Sequence, residues 1–156
     1  MQKFKAMTRG ILAAAAVAAV AVSGVAQASD GGEIKYRKAV MKSVGGHMNA
    51  LVGIVKGETA NKGDMLELAK GMLSLAKIAQ GVFPKGSDAM GGETDALAKI
   101  WDDPADFKKV SMAFVDHAQN LVTAAESGDP KALGAAVGAL GKNACKACHD
   151  GYKKKD

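Results

Sequence analysis

Apolar residues return at intervals of three and four in four separate stretches of the chain. Met41, Val44, Met48, Leu51 and Val55 make the first seam, and Met65, Leu68, Met72, Leu75 and Ala79 the second. Phe107, Val110, Phe114, His117 and Leu121 follow, then Leu133, Val137, Leu140 and Ala144. Such spacing gathers side chains on one face of an α-helix, so each stretch predicts an amphipathic helix. Strand-like alternation is almost absent. Lys56-Gly57 stops the first helix, Asn61-Lys62-Gly63-Asp64 leads into the second, and Ser127-Gly128 closes the third. Asp103-Pro104 and Asp129-Pro130 each set a carboxylate before a first-turn proline. Helices are predicted over roughly 33–56, 64–80, 103–127 and 130–154. Short links favour antiparallel neighbours, so the expected fold is all-α, an up-down-up-down four-helix bundle. The one long connection, Gly81 to Asp102, holds Phe83, Pro84 and Trp101. A loop of that length in a compact domain commonly covers a ligand.

The start of the chain changes the charge picture. Lys3, Lys5 and Arg9 precede an uncharged apolar run from Ile11 to Val22, and Ala26-Gln27-Ala28 puts small residues where a signal peptidase reads. That layout predicts a cleaved secretory signal over 1–28, with 29–156 as the mature domain. No other apolar stretch is long enough to span a bilayer. The formal net charge of +5 falls to +2 once those three basic residues are removed. With few aromatics as well, nucleic-acid binding is set aside.

Both cysteines lie in the closing "KNACKACHDGYKKKD", as Cys145-x-x-Cys148-His149. A disulfide across so short a loop would constrain the unfolded chain little. A thioredoxin-like dithiol needs a helix N-terminus after a strand, whereas this pair sits late in the last helix. Structural zinc wants four ligands, and His47 and His117 lie on other helices. C-x-x-C-H is the direct signature of covalent haem attachment. Cys145, Cys148 and His149 share one helical face, so two thioethers would fix the porphyrin edge while the imidazole reaches the iron. One haem c is expected, with His149 as proximal ligand. Haem also supplies apolar core to a bundle this small.

The chain resembles the class II c-type cytochromes, the cytochrome c-prime family. The likeness rests on "CKACHDGYKK" near the C-terminus, "KYRKAVMKSVGGHMNALVGIVKGE" in the first helix, "VFPKGS" after the second and "GGETDALAKIWDDPADF" before the third. It implies a bacterial periplasmic haem protein, and it implies a fork. One branch is high-spin and five-coordinate, with an apolar distal side chain, and binds nitric oxide or carbon monoxide. The other is low-spin, takes a methionine of the first helix as sixth ligand, and carries electrons.

Height along the bundle bears on that fork. His149 lies about 8 Å above the bottom of the fourth helix, and Met41 about 12 Å up the first. Met48 sits two turns higher, and Met112 is out of phase with its seam. Met41 is therefore the expected distal ligand. The function expected is a non-enzymatic electron carrier cycling Fe(III)/Fe(II), with the high-spin gas binder as the alternative. A peroxidase is discounted, because its only distal base would be His47, off the face of Met41. The resemblance also places Arg37 at a haem propionate, and gives a homodimer through the first two helices as one assembly. Lys153 stands where the family often has arginine. Tyr36, Phe83 and Trp101 are expected to pack near the haem or the loop. Lys146, Lys153, Lys154 and Lys155 would form a docking patch for an acidic redox partner.

Overall fold

A computed structural model describes residues 31–155; the expected signal segment, 1–28, lies outside them. Helix α1 spans Gly32–Val55, α2 Met65–Ala79, the short α3 Lys99–Asp102, and α4 Pro104–Ser127. The fourth bundle axis is composite: α5 over Pro130–Leu140, a π-helical turn over Gly141–Lys146, and α6 over Ala147–Tyr152. Neighbours run α1–α2–α4–α5 and back to α1, which closes an antiparallel four-helix bundle as expected.

The punctuation works as the residue chemistry dictates. The Asp103 side chain accepts from the Asp106 N–H at 3.1 Å, ahead of Pro104, and Asp129 accepts from the Lys131 N–H at 2.9 Å. These caps satisfy amides that have no partner within the helix. Gly128 ends α4 with φ +68°, a left-handed geometry that costs glycine nothing.

One core runs through all four helices, with Leu51, Met72, Leu121 and Leu140 fully enclosed. The fourth seam is buried at all four expected positions. The first is rotated from expectation: Ile54 is buried and Val55 is 40% exposed. Tyr36 is likewise corrected, since it points to solvent rather than packing near the loop.

A second, smaller cluster gathers at one end, where α1 begins and the fourth axis ends. Ile100, Phe107 and Tyr152 are its buried members, with Phe83, Trp101 and Cys148 packed against them. The connection after α2 is fastened there twice. Trp101 Nε1 donates to the carbonyls of Phe83 and Pro84 at 3.2 and 3.1 Å. The end of the chain then runs antiparallel to it, with Leu97 N–H donating to the Tyr152 carbonyl and Lys154 N–H to the Asp95 carbonyl. Among the described residues no helix is long and apolar enough to cross a membrane.

Candidate functional site

The π turn, which contains Cys145 and ends before Cys148, sets which side chains of the fourth axis face inward. Ala144, Cys148 and Tyr152 continue from Leu140 in steps of four. In a regular α-helix each such step drifts about 40° around the axis. A π turn holds more residues per turn and absorbs part of that drift. Ala144 and Tyr152 accordingly stay buried, and Cys148 faces inward beside them. Nothing in the local sequence announces the π turn, although Gly141 lets the Met48 methyl approach to 3.2 Å of where a Cβ would stand.

Between the two hydrophobic clusters lies a cavity of about 390 Å³, a size typical of ligand pockets. Ala144, Cys145, Cys148, His149 and Tyr152 line it from the fourth axis, and Met41, Val44 and Met48 from α1. Val110, Phe107 and Phe114 of α4 and Phe83 and Ile100 of the connection complete its apolar walls. Helical rise alone sets Met48 too high to take part; in the structure it lines the cavity with Met41.

Burial pushes both cysteine thiols above the ordinary range, and for Cys148 the neighbouring Cys145 adds to the effect. A redox dithiol requires the opposite shift. Among the described residues no three His, Cys, Asp or Glu side chains converge as metal ligands, so a Cys2His2 zinc site has no ligand set here. A haem fits better. The apolar walls match porphyrin faces, both thiols open on the cavity, and His149 stands beside them on the same axis.

Tyr152 was missed by sequence reasoning. Its hydroxyl donates to Asp106 Oδ2 at 2.5 Å, and its ring meets Phe107 edge-on at 5.1 Å. That hydrogen bond, with burial adding, raises the tyrosine pKa to about 12 and holds Asp106 below the usual carboxylate range. The neutral phenol is thus favoured by folding. Its contribution is complete below pH 10, the ordinary value, and fades as pH rises towards 12. Tyr152→Phe should cost about 1 kcal/mol in urea unfolding at pH 8. The gap from the parent should close near pH 12; a gap independent of pH would show that the bond is not the cause.

Arg37 reaches the cavity wall but is also engaged elsewhere. Its guanidinium is buried, and donates from Nη1 to Ser87 Oγ at 2.8 Å and the Val82 carbonyl at 3.2 Å. From Nη2 it donates to the Ser87 carbonyl at 2.8 Å and Thr94 Oγ1 at 2.9 Å. Phe83 and Trp101 lie 5.0 and 5.8 Å from its carbon. Burial lowers its pKa, which Glu33 partly offsets. Ser87 and Thr94, far off in sequence and ordinary in type, carried no signal of this role.

His47 turns away from the cavity. Its Nδ1 sits 3.0 Å from the Ser43 carbonyl, and its ring packs so tightly on Gly71 that a Cβ there would stand 2.6 Å from Nε2. His117 is also absent from the cavity lining.

Residues 32–153 match the family described as Cytochrome C′. Among curated relatives, cytochrome c′ of Rhodospirillum rubrum is 37% identical over 140 residues, covering 89% of this chain and 94% of its own. That of Alcaligenes xylosoxydans xylosoxydans is 35% identical over 123 residues, 78% and 93% respectively. Two solved structures of variants of the Alcaligenes xylosoxidans protein are close in fold. A ferrous one with bound nitric oxide gives a TM-score of 0.75 at 32% identity, covering 83% of this chain and 99% of its own. A carbon-monoxide-bound one gives 0.74 at 32%, covering 82% and 98%.

These likenesses correct the expected function. Both of these relatives are named cytochrome c′, though another at 33% identity is named cytochrome c-556, and both of these structures hold diatomic gases, so the electron carrier with Met41 on the iron is overturned in favour of its alternative. The physical reason is that helical spacing locates Met41 on the wall without orienting its sulfur. An apolar wall and a ligating thioether read alike in sequence.

Proposed function

The chain belongs to the cytochrome c′ family, and on that premise we propose that it binds nitric oxide or carbon monoxide at an open haem position. Members of the family carry one covalent haem c, and the C-x-x-C-H of residues 145–149 is consistent with it. The cofactor supplies an iron atom to which a diatomic gas can bind. Cys145 and Cys148 would hold it by thioethers, and His149 would present its imidazole from the same axis. The observation that carries the reading is the cavity wall opposite. Met41, Val44, Met48 and Phe114 offer bulk and no titratable group, and of the polar residues that also line the cavity, Gln80 and Ser111 are hydrogen-bonded to one another while Asn49 is an amide and no base. Such a wall admits a small uncharged gas. It offers no base for activating peroxide, which favours a binder over a catalyst.

The mature domain would be residues 29–156, exported to the periplasm, as the signal-like start supports. Tyr36 and Val55 of α1 and Ile78 of α2 are exposed apolar residues, and we place a homodimer contact on these helices.

The test is the visible spectrum of the ferrous protein with and without carbon monoxide. A broad high-spin spectrum that converts on adding the gas supports the reading; sharp split bands that resist it would end it. Met41→Ala should leave the spin state alone and raise the carbon monoxide association rate about tenfold, as removal of about 1.4 kcal/mol of steric barrier would. Flash photolysis reads that rate.

A further inference from the structure

Charge is divided unevenly around the bundle. α1 carries Lys35, Arg37, Lys38 and Lys42 against Glu33 alone, and the fourth axis carries Lys131, Lys142 and Lys146 against Asp150. The connection over 80–103 is the reverse, with Asp88, Glu93, Asp95, Asp102 and Asp103 outnumbering Lys85 and Lys99. Lys35, Lys38 and Lys42 succeed one another by three and four residues, so they form one ridge, and all three are exposed. None of them is among the ion pairs of the described residues. Lys38 lines the cavity itself, and exposed Lys142 lies one turn before Cys145. The C-terminal lysines singled out from sequence are less available: Lys146 pairs with Asp150, and Lys153 lies 3.8 Å from Asp95.

We propose that Lys35, Lys38, Lys42 and Lys142 form a docking surface for an acidic electron-donor protein. Lys38 lines the cavity and Lys142 lies three residues before Cys145, so a donor seated there would be brought beside the residues that would hold the cofactor. Like charges clustered without partners focus a field that steers an oppositely charged protein and orients it. The donor loses one electron and ferric iron gains it, with no bond made or broken. This rests on the gas-binding reading, because carbon monoxide takes ferrous iron and the chain itself supplies no electron.

The experiment uses the haem-loaded mature protein and a flavodoxin with a strongly acidic surface. Its oxidised form is titrated by fluorescence anisotropy, and its reduced form is used for stopped-flow reduction. Lys35→Glu/Lys42→Glu/Lys142→Glu is compared with Lys56→Glu/Lys62→Glu/Lys131→Glu, which makes the same charge change at the opposite end of the bundle. The first variant should weaken binding and slow reduction by about tenfold or more at low salt, with the difference shrinking as salt rises. The second should stay near the parent. Equal losses in both would reduce the effect to net charge and overturn the proposal, as would no loss in either. Binding to anionic phospholipid vesicles with none to flavodoxin would overturn it in favour of a membrane surface. Carbon monoxide binding after chemical reduction is recorded for each protein. Its absence would sink the gas-binding reading, while the anisotropy titration still judges the docking surface.

Discussion

Replacing Cys145 and Cys148 together by serine should make the haem fully extractable by acidified solvent, and the protein left behind should lose its fixed core. The cavity sets the size of the effect. At about 24 cal/mol per Å³, an empty apolar space of about 390 Å³ corresponds to about 9 kcal/mol. A domain of this size holds about 5–15 kcal/mol in all. Water entering the mouth reduces the cost without removing it, because Val44, Val110 and Phe114 offer water no partner. The extracted variant should keep most of its far-ultraviolet dichroism, lose its near-ultraviolet signal and bind an apolar dye. Cooperative melting at the parental temperature after extraction would show that the bundle does not depend on what fills the cavity. Single variants should each retain one thioether, and so hold the haem while loosening it.

Arg37→Ala should destabilise the protein by about 3 kcal/mol or more, because four acceptors on the connection lose their donor at once. Arg37→Lys should recover only a small part, since an ammonium cannot reach Ser87 and Thr94 as a planar fork does. The effect should also be local. Hydrogen exchange should accelerate across residues 81–98, while the middle of α4 keeps its protection. If exchange rises evenly over the bundle, Arg37 supports the core rather than the connection. If it does not rise at all, Trp101 and the pairing of Leu97 with Tyr152 hold that segment without it.

How much of this was legible in the chain differs from residue to residue. Cys145, Cys148 and His149 could be singled out from sequence because haem attachment uses that spacing, and all three line the cavity. The four helices could be read because each buries a stripe, and Asp103-Pro104 and Asp129-Pro130 mark their starts by backbone chemistry alone. The first stripe was misjudged at Val55 and Ile54, adjacent residues of similar hydropathy on opposite sides of the boundary between core and solvent. Tyr36 failed for a related reason, since an aromatic ring can face either way and composition does not choose.

Met41 is the instructive case. Its level on α1 was readable from the rise of a helix, and it does line the cavity. Where its sulfur points depends on how α1 approaches and packs against the fourth axis, which spacing along one helix does not fix. That approach results from packing over the whole bundle, including a π turn and a glycine at 141 that no local rule predicts.

Periodicity, capping and the spacing of a reactive motif are local or one-dimensional properties, and the sequence by itself determined them: a four-helix bundle, its turns, and a haem at its end. The partners of Arg37 and the hydrogen bond from Tyr152 to Asp106 bring together residues up to 57 positions apart, and the cavity sets Lys38 and Cys145 in one wall. Only the tertiary structure decided those, because long-range contacts arise where helices happen to meet, and nothing in either partner's neighbourhood encodes the other.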